Sequence, residues 1–190
     1  LLSLADNSVK KTQRLIHELK HYTLILEKSL NFEPVCLQDL LMDVTDGLRK
    51  DIDKRQAEVS FSDLPTVTGD AAQLRLLFQH LLSNALRYQR PDTPPQIVVT
   101  HQNSKVDDSD AVRIAVSDNG IGIPEAYQSR VFNLFERLAV DDKEADRTGL
   151  GLPVCQRIAK KHHAHIEISS DTQTGTEMTV VFSSQDSLPV

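Results

Sequence analysis

The 190-residue sequence predicts an α+β fold, a two-layer sandwich with helices over one face of a sheet, preceded by a long N-terminal helix. Two patterns predict it. Apolar residues recur at steps of three and four over Leu2–Leu30, Leu37–Arg55 and Asp70–Tyr88, while Gln96–His101, Ala111–Ser117, His165–Ser169 and Glu177–Phe182 alternate as strands do. No internal repeat or low-complexity tract interrupts the two patterns, so they belong to one mixed architecture.

From the N-terminus, Leu2, Ala5, Val9, Thr12, Ile16, Leu19, Thr23, Leu26 and Leu30 form a heptad seam, with Lys, Glu, Gln and Arg on the other faces. Such a helix packs against a partner helix in a bundle or coiled coil. Asn31-Phe32-Glu33-Pro34 ends it, because proline disfavours helix in the residue before it. Leu37 to about Arg55 reads as a second amphipathic helix and Glu58–Phe61 as a short strand. Asp70 can cap the next helix, and Gln73 stands where a reciprocal capping partner belongs. That helix runs through Leu74, Leu77, Phe78, Leu81, Leu82 and Ala85 to about Tyr88, and Pro91, Pro94 and Pro95 close it. Gln96–His101 and Ala111–Ser117 should form an antiparallel hairpin around the polar loop Gln102–Asp110. A helix-like stretch at Val131–Leu138 precedes the charged loop Asp141–Arg147. Leu152–Lys161 is a further helix, and the last strand pair turns at Gly175. The domains expected are 1–33, the N-terminal helix; 34–186, the sandwich; and 187–190, a tail.

Hydrophobic residues make up 39% and charged residues 25%, which suits one globular domain plus a modest extra element. The net charge of -6 and the absence of any Lys/Arg-rich run argue against a nucleic-acid partner, so any phosphate must be held locally. Cys36 and Cys155 are far apart in sequence and read as reduced structural thiols of a cytosolic environment rather than a disulfide. No apolar run approaches the roughly 20 residues that span a bilayer. The expectation is a cytoplasmic piece of a longer protein, any membrane contact lying in parts outside this chain.

Three stretches carry chemistry. Asp118 follows the strand Val112–Val116 and precedes Asn119-Gly120-Ile121-Gly122-Ile123-Pro124. A carboxylate at a sheet end accepts a hydrogen bond from the exocyclic amine of adenine, whereas guanine offers a carbonyl there and leaves two acceptors facing each other. Asp-Asn-Gly taken alone is a common turn; its context gives it weight. Thr148-Gly149-Leu150-Gly151-Leu152 opens a helix with Pro153 in its first turn, where backbone N–H groups and the helix's positive end can meet phosphate. It is neither a Rossmann fingerprint nor a Walker loop. On the helix between them His80, Asn84 and Arg87 share one face. An amide oxygen suits Mg²⁺, Arg87 can offset phosphate charge, and His80 can orient or deprotonate a hydroxyl or water. In order and spacing these stretches describe an ATP site.

Together they resemble the catalytic domain of sensor histidine kinases, within the superfamily that includes the gyrase and Hsp90 ATPases. The resemblance covers about Leu37 to Phe182 and implies the Bergerat-type fold, a mixed sheet with helices on one face. His80–Tyr88 resembles the N box, with Asn84 as the Mg²⁺ position; Asp118–Ile123 resembles the first glycine box, with Asp118 on adenine. Phe132–Arg137, with Phe135, resembles the F box that anchors a lid, Thr148–Leu152 the second glycine box, and Gly175-Thr176 the terminal glycine motif near adenine. The resemblance implies ATP bound by Asn84, Arg87, Tyr88, Asp118, Gly120, Gly122, Ile123, Phe135, Arg147, Thr148, Gly149, Leu150, Gly151, Leu152 and Thr176, Mg²⁺ on Asn84, and a catalytic set of His80, Asn84 and Arg87. It implies transfer of the γ-phosphoryl to a histidine, relay to a response regulator receiver domain, and a homodimer. Arg14–Thr23 resembles the second helix of the dimerisation hairpin, so the accepting histidine is expected upstream of Leu1.

His17-Glu18-Leu19-Lys20-His21 matches a zinc-protease pattern and the start of a phosphoacceptor box. The heptad register puts both histidines on the outer face, away from the dry cleft and third ligand that catalytic zinc needs. Three residues, at two places, depart from the family pattern. Arg147 replaces the usual first glycine of the second box, and His162-His163-Ala164 stands where His-Gly-Gly is common. A stiffer lid and low activity would follow, which keeps a degenerate ATP-binding regulator as the alternative. Both cysteines, His101 and His165 read as core or surface residues.

Overall fold

The computed structural model describes residues 13, 20, 23, 29–106, 109–136 and 149–183. The heptad helix, His17, His21, the charged loop 141–147, Arg147, Thr148 and the C-terminal tail therefore lie outside the described residues, apart from helical Gln13, Lys20 and Thr23.

The elements in order are β1 (Glu33–Cys36), α1 (Leu37–Gly47), α2 (Arg49–Arg55), β2 (Glu58–Phe61), β3 (Thr66–Gly69), α3 (Ala71–Arg87), β4 (Gln96–Val106), β5 (Ser109–Asp118), α4 (Glu125–Gln128), α5 (Gly151–Lys161), β6 (Ala164–Asp171) and β7 (Gly175–Ser183). Five strands make the main sheet in the order β2-β4-β5-β7-β6, and β1 pairs with β3 in a separate ribbon. β2 runs parallel to β4 and the other neighbours are antiparallel, so the sheet is mixed as expected.

Four expectations about the elements and their bounds need correction. The segment around Glu33-Pro34 is not only a helix stop: it forms β1, with Val35 opposite Val67 of β3. Pro34 within β1 and Gly69 at the end of β3 read as breaks in sequence, and Pro34 is tolerated because the ribbon has only edge strands. The helix of 37–55 is two helices, broken at Leu48, whose φ of -96° and ψ of 5° follow Gly47. The hairpin continues to Val106 and resumes at Ser109, since backbone ladder bonds carry the polar pairs Gln102 with Arg113 and Lys105 with Asp110 without help from an apolar face. Described residues 131–136 form turns rather than a helix; the helical turn is α4, set by Pro124, and Phe135 at φ 64° is incompatible with a continuing helix.

The core lies between α3, α5 and one sheet face. Leu74, Leu77, Phe78, Leu81 and Leu82 of α3 and Cys155 and Ile158 of α5 meet Ile97, Val99, Ile114, Val116 and Val180 of the sheet. Each fully buried Leu, Ile or Phe contributes about 1.5–3 kcal/mol. Burial pushes the Cys155 thiol pKa up, and its Sγ donates to the Leu77 carbonyl at 3.5 Å, so it is a structural thiol; Cys36 is exposed on β1. On the opposite sheet face, Arg113 of β5 pairs with Glu167 of β6 across β7 and covers the buried Val181 and Thr179.

This packing orients α3. Asp70 caps it through Oδ1, which accepts the Gln73 N–H at 3.0 Å. The reciprocal half of the expected capping box does not form: the Gln73 amide is buried, without a hydrogen-bond partner. With its apolar side in the core, α3 presents His80, Asn84 and Arg87 at half-exposed positions.

Candidate functional site

Asp118 is the last residue of β5, opposite Ile97 on one side and Thr176 on the other. Its Oδ1 accepts the Gly120 N–H at 2.8 Å and the Thr176 N–H at 3.3 Å. Burial raises its pKa to about 6, and these two backbone bonds, which favour the ionised form, pull the other way. The carboxylate is thus mostly ionised at neutral pH, with both bonds on one oxygen and Oδ2 left to meet a ligand. Two glycines make this possible. A Cβ on Gly120 would overlap the Tyr88 carbonyl oxygen, and one on Gly175, at φ 118°, would overlap the carbonyl of Asp118 itself.

Around this carboxylate are supports that the sequence reading missed. Ser170 Oγ accepts the Ile123 N–H at 2.7 Å, donates to the Gly175 carbonyl at 2.9 Å and lies 3.0 Å from Thr176 Oγ1, joining both glycine turns. Asn119 accepts the Gln96 N–H at 2.9 Å and donates to the Pro94 carbonyl at 3.1 Å, which fixes the start of β4. Arg90 donates to the carbonyls of Asn119, Gly120 and Thr172. Ser170 and Arg90 had no sequence signal: a serine in a strand and an arginine before a proline are ordinary until the register brings two loops together.

The second half of the site lies where α3 meets the start of α5. His80 sits against Gly151, where an added Cβ would be 3.4 Å from Nδ1. Phe135 donates its N–H to the Gly149 carbonyl at 3.1 Å, clipping together the two ends of the stretch that carries Arg147 and Thr148. Gly122 adopts φ 70° and Gly149 also φ 70°. Leu150 is 1% exposed and Ile123 8%, so their side chains serve the core and only their backbone can face a nucleotide. Leu152 is half-buried and Phe135 is 55% exposed. Tyr88 ends α3, and its carbonyl accepts the Ile121 N–H at 2.9 Å, so the end of α3 touches the first glycine loop directly.

The arrangement offers a half-buried, ionised acceptor for an amine at one end, and at the other the start of α5 against the His80 imidazole, with Asn84 and Arg87 further along the same helix face. In general a hard amide oxygen suits Mg²⁺, and N–H groups with a cation suit phosphate. No group of three or more His, Cys, Asp or Glu able to hold a metal occurs among the described residues. The zinc-protease pattern at 17–21 lies outside them.

The pattern that defines histidine kinase-, DNA gyrase B- and HSP90-like ATPases matches residues 69–186, more than half of the chain. Cyanobacterial phytochrome A of a Nostoc strain is 31% identical over 174 residues, 92% of this chain and 22% of that protein. The adaptive-response sensory kinase SasA of Synechococcus elongatus is 31% identical over 181 residues, 93% of this chain and 45% of that protein. The chain thus spans less than half the length of these curated relatives. Among solved structures, full-length ShkA in complex with AMPPNP superposes with a TM-score of 0.73 at 21% identity, covering 93% of this chain and 36% of ShkA. The catalytic domain of the histidine kinase ThkA gives 0.66 at 21% identity, over 80% of this chain and 97% of that domain. These likenesses establish the fold.

Proposed function

The chain belongs to the histidine kinase-, DNA gyrase B- and HSP90-like ATPase family, and on that premise we propose that it is the ATP-binding catalytic domain of a sensor histidine kinase. It would transfer the γ-phosphoryl of ATP to a histidine on a separate phosphoacceptor hairpin, for relay to a response regulator receiver domain. The observation that carries this reading is the Asp118 carboxylate, held through Oδ1 by Gly120 and Thr176 with Oδ2 left for the adenine amine.

Phosphoryl transfer asks a protein mainly to position groups and to neutralise charge. Asp118 selects the base, supported by Gly120, Gly122, Ile123 and Thr176. Asn84 is the metal position, and Mg²⁺ held there would supply positive charge to offset that of the phosphates. Arg87, the backbone from Gly149 to Leu152 leading into α5, and Arg147 and Thr148 hold phosphate oxygens. His80, packed on Gly151, orients the attacking imidazole or a water. Tyr88 and Phe135 border the nucleotide, Phe135 at the base of a lid.

The N-terminal helix would supply part of a homodimer interface, and the reading places the domain in the cytoplasm. Among the described residues no helix is long and apolar enough to cross a membrane.

Titration calorimetry with Mg-ATP tests the site. Binding that Asp118→Ala abolishes supports it; unchanged binding in the variant sinks it. Adding a phosphoacceptor hairpin and radiolabelled ATP then separates a kinase, which labels the hairpin, from a regulator, which binds ATP and labels nothing.

A further inference from the structure

The segment that leaves α3 grips the first glycine loop twice. The Tyr88 carbonyl accepts the Ile121 N–H at 2.9 Å. Two residues later, Arg90 Nε donates to the carbonyls of Asn119 at 3.2 Å and Gly120 at 2.9 Å, and Nη2 donates to the carbonyl of Thr172 at 3.0 Å. These acceptors belong to two separate loops, one after β5 and one between β6 and β7. The same two parts of the chain supply the Gly120 and Thr176 N–H groups that hold Asp118. One guanidinium therefore closes the ring of backbone on which the carboxylate rests.

The choice of arginine follows from its chemistry. A planar, permanently charged fork with five donors can serve three carbonyls at a fixed mutual spacing, whereas lysine offers a compact point charge on a flexible stem. Position matters equally. Arg90 lies three residues beyond Arg87 and six beyond Asn84, so it anchors the run of chain carrying the phosphate-side residues to the loop carrying the base-side residue.

We infer that Arg90 is a positioning residue for base selection: it acts through Asp118, fixing the carboxylate's orientation and its separation from the Asn84–Arg87 face. The inference rests on the adenine-site reading above. Removing the fork frees the two loops to move relative to each other. The adenine amine then loses an aligned acceptor, while phosphate contacts on α3 and α5 remain.

The test compares the full chain with Arg90→Ala and Arg90→Lys by calorimetry against Mg-ATP and Mg-GTP, with thermal melting of each protein. Arg90→Ala should weaken Mg-ATP binding about tenfold, the scale of a lost charged hydrogen bond, and leave Mg-GTP binding unchanged, so the ATP preference shrinks by the same factor. Arg90→Lys should melt near wild type yet lose most of that preference. If Arg90→Ala does not fold, Arg90→Lys decides, together with amide exchange at Gly120 and Thr176, which should accelerate. A folded variant that keeps the full ATP preference, or loses both nucleotides equally, overturns the inference. A wild-type chain with no ATP preference, or an Asp118→Ala variant that retains it, overturns the adenine-site reading as well, so the two failures are distinguishable.

Discussion

His162 Nε2 accepts the backbone N–H of Asp70 at 3.0 Å, which ties the end of α5 to the start of α3. Its Nδ1 lies 2.8 Å from the Ile158 carbonyl, so the imidazole is neutral with the proton on Nδ1. Asp70 Oδ2 accepts the Asn31 N–H at 3.2 Å, and the Phe32 ring lies 5.4 Å from the imidazole. The two helices bearing the candidate site are thus joined at their far ends to each other and to the segment entering from the N-terminal helix. Gly69 keeps that junction open, since a Cβ there would approach His162 Cδ2 to 2.9 Å.

Replacing His162 with Ala leaves the Asp70 N–H buried without an acceptor and should cost about 1–3 kcal/mol in denaturant unfolding. Burial holds the His162 pKa below 6.5, partly opposed by the Ile158 hydrogen bond and the Asp70 charge. Because the folded value lies below the unfolded one, its contribution is complete above about 6.5 and is lost as pH falls. The stability gap between wild type and His162→Ala should therefore narrow on acidification; a gap constant from pH 7.5 to 5 would refute the neutral-imidazole assignment.

Asp118 has the opposite sign. Its folded pKa of about 6 exceeds the ordinary 3.8, so its contribution to the free protein's stability is present below about 3.8 and is lost as pH rises through about 6. Nucleotide binding needs the ionised form and should run the other way, strengthening as pH rises through about 6 and levelling above it. Asp118→Asn should bind Mg-ATP about 10- to 100-fold more weakly at pH 7.5, from the lost charged hydrogen bond, and show no step near pH 6. A step persisting in the variant would assign it to another group.

His163 adopts φ 53° at an exposed position just past α5, a conformation unfavourable to a residue bearing a Cβ. His163→Gly should raise stability by about 0.5–1 kcal/mol, read as a higher melting temperature, without changing Mg-ATP affinity. The departure from His-Gly-Gly is on this reading a stability matter remote from nucleotide chemistry.

Gly120→Ala forces a methyl onto the Tyr88 carbonyl and to 2.7 Å from Asp118 Oδ1. The Ile121–Tyr88 bond and the carboxylate's bond from Gly120 should both fail, costing about 2–4 kcal/mol of stability from two lost buried bonds and the clash. Nucleotide binding should vanish even in variant protein that remains folded at low temperature.

Long periodic segments were legible. The apolar spacing of Leu74, Leu77, Phe78, Leu81 and Leu82 fixes which side of α3 is buried, and hence that His80, Asn84 and Arg87 share the opposite one. The strand alternations gave β4, β5, β6 and β7, and the apolar-to-polar switch at Asp118 placed a carboxylate at a sheet end. Strands β1 and β3 were not legible, because Pro34 in the one and Gly69 at the end of the other read as breaks, whereas the equally short β2 has neither. The turns around Phe135 were not legible either, since Val131, Leu134 and Phe135 follow a helical spacing although the backbone is in turns from Ser129 and Phe135 has a positive φ.

Sequence alone determined the residue types and their order: an acid ending a strand, glycines after it, an amide and cation on a helix face, and a glycine-rich helix entrance. Periodicity is a local property, so it survives without the fold. Only the tertiary structure decided which oxygen of Asp118 is held, that Arg90 and Ser170 support the loops around it, and that His162 is a structural junction rather than a ligand. Those depend on contacts between residues as much as 92 apart in the chain, set by strand register and helix packing, and no local pattern encodes which distant backbone groups will end up within 3 Å.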